Sequence, residues 1–477
     1  MHRRSPVLPY SLGLLLLMLP LAGSILGAQT SASSGGQHAL TLAQVIETAK
    51  ARYPAIKASQ AEQQAAQGAI GLAKTAYLPR TDILWQTNRA TANNIFGLLL
   101  PQSVIPSISG PVIEADNTRS AWSSGGGALV SWQPFDFGGR AARVDAARRG
   151  SEAANQVAAA TVLEVTASAA SAFFDVAAAQ QLVVVAQTSV KRYEAFAKAL
   201  HVLVENQLRP GADASQADAQ LAVARNQLIQ AQTQLTVRRV ALAQFLQIPG
   251  GQLSIDAAEL LGGVPAGDLE AKPAASHPSV LEENALSLEQ LAQKRVLERS
   301  YVPSFSTLGA ISGRGAGTGL VGNFPGGTAG LAPDTLNWAV GVQVTFSALD
   351  YFAFREQKKV QEAKIEAEHA RYDLSLSNVS TAAEQARATL AGARQIAGNT
   401  PAELAAARAS EQQQQARYRS GLATVVDVTA AESLLAQAEA DDAIARLSVW
   451  RAEFGVATAQ GDLQSFLQLL GNQAEGH

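Results

Sequence analysis

Two acidic turns offer the most distinctive chemistry in this chain. The stretch VENQLRPGADASQADAQL holds Asp213 and Asp218, and YRSGLATVVDVTAAESLL holds Asp427 and Glu432. Subtracting 213 from 427 gives 214, and the same offset carries Leu422 onto Leu208, Ala431 onto Ala217 and Leu435 onto Leu221. A carboxylate at the start of a helix can satisfy free backbone amides, so the plain reading makes Asp213 and Asp427 N-caps of the helices that follow. Recurrence at a fixed interval asks in addition for an architecture that uses this turn twice.

Few other residues could support chemistry. The six histidines, at positions 2, 38, 201, 277, 369 and 477, lack the spacing of metal ligands, and cysteine is absent. The glycine series GRGAGTGLVGNFPGGTAG, residues 313–330, lacks a closing Gly-Lys-Ser/Thr and opens no helix, so it reads as a surface loop and not as a phosphate cradle. Residues 412–415, all glutamine, and the pair Asp441-Asp442 read as solvated helix faces. No grouping of serine, histidine and acid can be assembled. The chain is not expected to be an enzyme, and no cofactor or metal is expected.

The composition points to helices. Of 477 residues, 16% are charged and 6% aromatic, while alanine, glutamine and leucine dominate long stretches. Such a chain favours long helices that pack closely through small side chains. A net charge of −3 without a basic block gives no reason to expect nucleic acid as a partner.

The N-terminus predicts export. Arg3 and Arg4 precede an apolar run over residues 12–19, and small residues around Ala28 offer a cleavage site, so residues 1–28 read as a secretory signal. Without cysteine, the exported chain can be neither lipidated at the cleavage site nor held by disulfides. No later run of about eighteen apolar residues stands out, so entry into a membrane is expected only through strands.

The duplication extends beyond the turns. Tyr53-Pro54 precedes the Tyr-x-Pro of residues 77–79 by the interval that separates His277-Pro278 from the Tyr-x-Pro of residues 301–303. Each pair frames a helix, over residues 42–76 and 278–300, that should stop at the second proline. The period then changes. In LNWAVGVQVTF, residues 336–346, Leu336, Trp338, Val340, Val342, Val344 and Phe346 alternate with Asn337, Ala339, Gly341, Gln343 and Thr345. Shifted back by 214, WSSGGGALVSW keeps that parity, with Trp122, Ala128, Val130 and Trp132 on one face.

An exported strand of about eleven residues, apolar on one side and aromatic at its ends, suits a tilted transmembrane span, and Trp122, Trp132, Trp338 and Phe346 suit its interfaces. Segments beginning at Thr81 and Pro303 complete a hairpin in each copy. Four strands cannot close a barrel, and an open edge in lipid leaves backbone groups unpaired, so other chains must supply the rest. Three copies would give about twelve strands.

After each hairpin comes a stretch of roughly 65 residues with few breaks, long enough for a helix of about 100 Å, which then turns at the acidic motif and returns. Glycines permit the chain to bend from strand to long helix in WQPFDFGGR, residues 132–140, through Pro134, Asp136, Gly138 and Gly139.

Taken together, the doubled helix-hairpin-helix plan, the Tyr-x-Pro helix ends, WQPFDFGGR and YRSGLATVVDV resemble the TolC-like outer-membrane efflux protein family, over residues 40–465. The resemblance implies a mainly α fold with a small β part: long antiparallel helical hairpins in an α-barrel, and four transmembrane strands per protomer closing a twelve-stranded barrel as a homotrimer. It divides the chain into repeats 40–262 and 263–465 and a C-terminal tail, 466–477. It also implies a passive duct in the bacterial outer membrane that extends into the periplasm and serves a tripartite pump or type I secretion. The partners implied are outer-membrane lipid, a periplasmic membrane-fusion adaptor and an inner-membrane transporter of the RND, ABC or MFS type.

By the same resemblance, Asp427, with Asp213 as its counterpart, would line an acidic periplasmic aperture that Tyr418 helps to keep closed. Three such carboxylates near one axis would attract cations. The adaptor would meet the tips at Leu208, Arg209, Pro210 and Gly211, and at Ser420, Gly421, Leu422 and Ala423. Ala423 and Ala430 depart from family members that carry an arginine and a second aspartate there, so an arginine lock is not carried over. The alternative, an adaptor-like or structural periplasmic coiled-coil protein, shares the helices but has no use for two amphipathic strand pairs.

Overall fold

The computed structural model describes residues 39–107, 111–112, 118–265, 267, 269–319 and 323–474. The expected export signal and the last three residues of the expected tail lie outside them. The first half runs through α1 (Leu42–Arg52), α2 (Pro54–Thr75), β1 (Arg80–Thr91), β2 (Ser120–Phe135), α3 (Gly139–Glu205) and α4 (Gly211–Leu246). A short α5 (Ala258–Gly262) leads into α6 (Pro278–Ser300), β3 (Ser304–Ala316), β4 (Thr335–Thr345), α7 (Tyr351–Arg419), α8 (Val425–Ala459) and α9 (Leu463–Ala474).

The helix expected over residues 42–76 is broken at Tyr53, whose backbone is extended at φ −67° and ψ 128°. Pro54 causes the break, because it disfavours helical geometry at the residue before it while fitting the first turn of a new helix. By contrast, α7 continues through Pro401, although proline removes one backbone hydrogen bond there. Beside it the Thr400 hydroxyl donates to Asp442 of α8 at 3.3 Å. With 67 and 69 residues, α3 and α7 are each about 100 Å long.

One sequence expectation needs correction. Contrary to the reading that no helix is apolar enough to cross a bilayer, α3 contains such a stretch by length and composition. Its apolar residues have another destination. Ala169, Ala170, Phe173, Phe174, Val176 and Ala177 are buried against Val45 and Ile46 of α1, Leu242 and Leu246 of α4, Trp450 and Phe454 of α8 and Phe466 of α9. This core fastens α3 near mid-length against the C-terminal parts of α4 and α8, and the Trp450 indole donates to the Gly263 carbonyl at 2.8 Å.

The four strands form one antiparallel sheet in the order β1-β2-β3-β4. Its register aligns Ile83, Ala128, Ile311 and Trp338 in one row, since each pairs directly with the next. Directly paired residues share a face, so this row, together with Trp85, Val130, Val340 and Val342, builds a continuous apolar surface. That surface is uncovered in the protomer: Ile83 is 82% exposed, Trp338 78% and Val340 79%. The opposite face carries Asp82, Gln86 and Asn88 of β1, Ser123, Gly125 and Gly127 of β2, Ser306, Ser312 and Arg314 of β3, and Asn337, Gly341 and Gln343 of β4. Close packing explains a glycine here. A Cβ on Gly126 would fall 2.5 Å from the Trp85 ring, which lies across it.

Candidate functional site

Both long-helix turns are built alike. Two residues beyond α3, Gln207 takes φ +60°, two residues beyond α7, Gly421 takes φ +74°, and in each turn the next leucine amide caps the helix. Leu208 donates to the Leu203 carbonyl and Leu422 to that of Arg417, each at 2.8 Å. A left-handed residue followed by this backward bond is a common way to close a helix end. Leu208 and Leu422 are left exposed at the apices, as are Pro210, Gly211, Ser420 and Gly421, while Ala423 is half-buried.

Neither acidic residue is itself the N-cap. Pro210 caps α4 and Thr424 caps α8, which puts Asp213 and Asp427 each at the third helical position. In α8 this completes a capping box: the Thr424 hydroxyl accepts from the Asp427 amide at 3.3 Å, and the Asp427 carboxylate accepts from the Thr424 amide at 2.7 Å. These bonds from the Thr424 amide and hydroxyl hold the exposed Asp427 carboxyl below its usual range. Pro210 has neither an amide hydrogen nor a hydroxyl, so Asp213 has no box to join. Its carboxylate accepts instead from the Tyr418 hydroxyl at 3.1 Å.

Tyr418 is the centre of the tip. Its ring is buried with Ala197, Leu200, Ala217, Val425 and Val428, and meets Phe196 edge-on at 5.8 Å. The Arg209 guanidinium lies 4.4 Å over that ring and donates to the Tyr418 carbonyl at 2.6 Å. Burial, reinforced by the Asp213 carboxylate, pushes the phenol up to about 12. The hydroxyl therefore stays protonated and remains a donor. Tyr418, Asp213 and Arg209 thus tie the end of α7 to the start of α4, and Arg209 is engaged within the protomer.

Higher along the helices lies a charged clasp that the sequence did not disclose. Arg192 of α3 donates to Glu432 of α8 at 2.9 Å and grips Glu439 with two further bonds of 3.1 and 2.9 Å. Glu432 is only 2% exposed. The two glutamates lie one heptad apart on α8, but Arg192 is 240 residues from Glu432, so no local pattern joins them.

At the strand-to-helix junction, Asp136 pairs with the buried Arg140 at 3.1 Å. Arg140 also donates to the Pro134 carbonyl and lies 4.7 Å over the Tyr77 ring. Burial tends to raise the Asp136 carboxyl, but hydrogen bonds from the Arg140 amide and side chain outweigh it and leave the group low. Gly138 adopts φ +89°, and a Cβ on Gly139 would crowd the Asp136 carboxylate at 3.3 Å. This compact bend sets the direction of α3.

Of the aromatics expected at the membrane interfaces, Trp132 donates from its indole to the Tyr77 carbonyl at 3.1 Å, and Phe346 packs 5.4 Å from Tyr301. Both stand at the helix end of the sheet. Trp338 and Trp122 lie towards the other end, and Trp122 is half-buried beneath the Arg89 guanidinium. Eight residues from Trp338 to Phe346 span about 26 Å of strand, enough to separate two aromatic belts.

Comparison with known proteins agrees with this architecture. The family model of outer membrane efflux proteins matches residues 45–246. No curated protein matches the chain. Solved structures are similar over most of it. The outer membrane protein VceC of Vibrio cholerae is 16% identical, with a TM-score of 0.70 over 88% of this chain and 96% of that one. The CmeC outer membrane channel of Campylobacter jejuni is 14% identical, with a TM-score of 0.70 over 91% and 89% of the two chains. The MtrE outer membrane channel of Neisseria gonorrhoeae, in its open state, is 18% identical, with a TM-score of 0.68 over 88% and 89%. The family model of outer membrane efflux proteins thus covers residues 45–246, and the fold of the solved channels runs on through the second half of the chain.

Proposed function

We propose that three copies of this chain form an exit duct in the bacterial outer membrane, reaching through the periplasm towards an adaptor and an inner-membrane transporter. The observation that carries this reading is the sheet. It presents an apolar face and, among the described residues, leaves both β1 and β4 without a neighbour on one side. In lipid such edges cost several kcal/mol per unpaired group, so β4 of one copy would pair with β1 of the next until about twelve strands close the barrel. The opposite, polar face would then line a water-filled lumen. A periplasmic coiled-coil protein would expose that apolar face to water for no return.

Two helix pairs per protomer, α3 with α4 and α7 with α8, would give twelve helical staves in a trimer. The shared backbone closure of the two turns, a left-handed residue followed by a leucine amide that bonds back to the helix, supports an internal repeat, with halves 40–262 and 263–465. Tyr418, Asp213 and Arg209 would hold the aperture closed, and Asp427 would present its charge at the mouth. The exposed residues Leu208, Pro210, Gly211, Ser420, Gly421 and Leu422 would receive the adaptor, with Arg209 and Ala423 beside them. The exported chain would carry no lipid, since it has no cysteine.

Outer-membrane fractionation and heat-dependent gel migration test the assembly. A trimer that collapses to monomer on boiling, recovered with the outer membrane, is expected. A folded monomer in the soluble periplasmic extract overturns the proposal.

A further inference from the structure

Residues 97–106, which follow β1, fold back across the polar face of the sheet. The Asn88 side chain donates to the Leu98 carbonyl, and the Ser123 hydroxyl donates to the same carbonyl at 2.8 Å. The Arg314 guanidinium donates to the Pro106 carbonyl at 2.7 Å. Leu99 and Ile105 cover Gly125, where an added Cβ would meet one methyl group of each at 3.0 Å. Asn88, Ser123, Gly125 and Arg314 all belong to the polar face, and Gly125 pairs directly with Arg314.

The apolar character of the segment is thereby divided. Ile105 is buried and Leu99 half-buried against the sheet, whereas Leu98 and Leu100, on either side of Leu99, stay exposed. Arg314 is 7% exposed and pairs with no carboxylate among the described residues, so the segment covers a cation that would otherwise face the lumen.

We infer that residues 97–106 form an apolar constriction inside the outer end of the barrel, pinned by Arg314, Asn88 and Ser123 and lined by Leu98 and Leu100. The inference rests on the duct reading, because only a closed barrel turns the polar face into a lumen. Three copies would bring six leucine side chains towards one axis, and an apolar ring of that kind obstructs a water-filled pore by dewetting it. Lifting the segment would widen the passage and uncover three Arg314 guanidinium groups.

The absence of cysteine permits a direct test. Ala310→Cys places one thiol on the polar face, about 13 Å along β3 from Arg314 towards the helices. Intact cells are treated with a membrane-impermeant maleimide carrying a bulky polymer, and the labelling rate is measured. Slow labelling is expected with the native segment. Adding Leu98→Ser with Leu100→Ser, or separately replacing residues 97–106 by Gly-Ser-Gly-Ser, should raise the rate roughly fivefold or more. Equal rates in all three proteins, with trimers present on the gel, overturn the constriction and leave the duct standing. Absence of trimers, with labelling only after lysis, overturns the duct and the constriction with it.

Discussion

Tyr418 of α7 donates its hydroxyl to Asp213 of α4 at 3.1 Å, so the two helix pairs of one protomer are joined at their tips by one hydrogen bond to a carboxylate. A bond to a charged acceptor contributes about 1.5–3 kcal/mol, and removing it here should act on the tip more than on the fold. Tyr418→Phe keeps the ring beneath Arg209 and deletes only the hydroxyl. Higher single-channel conductance, with an unchanged trimer melting temperature, is the expected result in planar bilayers.

Asp427 has a different task from its counterpart. Its carboxylate completes the capping box with Thr424, and Thr424→Ala should cost about 1 kcal/mol of local helix stability. Faster amide hydrogen exchange in the first turn of α8 would register that loss. Asp427→Asn should also weaken block by divalent cations; unchanged block would remove Asp427 from the aperture.

The clasp higher on the helices gives a stability prediction. Arg192→Met leaves Glu432 buried without its cation, and loss of one partner of a buried pair costs up to about 3–5 kcal/mol. The lower end of that range applies here, because Arg192 is partly open to solvent. Arg192→Met combined with Glu432→Gln should recover much of the loss, as measured by thermal unfolding of the trimer.

His277 supplies a pH dependence. Its Nδ1 accepts from the Ser279 amide at 3.2 Å, capping α6, and its Nε2 lies 3.2 Å from the Thr458 carbonyl. The ring is therefore neutral, with the proton on Nε2. Burial lowers its pKa below the ordinary 6.5, against the smaller opposing pull of the Thr458 carbonyl. As pH falls below 6.5 the unfolded chain takes up a proton first, so the stabilisation present above that pH is lost as pH drops through the lowered folded value. His277→Gln should flatten this part of a melting-temperature profile between pH 7 and pH 5.

The two faces of β4 should respond oppositely to charge. Val340→Arg puts a guanidinium on the apolar face and is expected to cost about 2–4 kcal/mol at the membrane midplane. Gln343→Arg, on the polar face, should assemble normally. Comparable loss of the heat-sensitive trimer in both variants would contradict the assignment of faces.

Some of this was legible in the sequence for definite physical reasons. Alternation with a period of two marks Leu336 to Val344 as a strand half-immersed in something apolar, and the structure pairs that strand so that Trp338 meets Ile311. Pro54 forces a break at Tyr53 that helical composition alone conceals. The grip of Arg192 on Glu432 and Glu439 was not legible, because it depends on how α3 lies against α8. The unusually apolar residues after β1 were visible in the sequence, but their reason, packing of Leu99 and Ile105 on Gly125, needed the register of the sheet.

The middle of the sheet has a consequence for biogenesis. β1 and β2 can zip together soon after emerging, and so can β3 and β4, but Ser131 must find Leu308 across 177 intervening steps of chain. Contacts so remote in sequence form slowly. Until they do, two sticky ribbons are free in the same compartment, each able to anneal with a stranger. The joining of β2 to β3 is therefore expected to be the slow step of maturation, and, if the chain assembles as proposed, a holdase that shelters the hairpins during that delay would raise the yield of finished barrels.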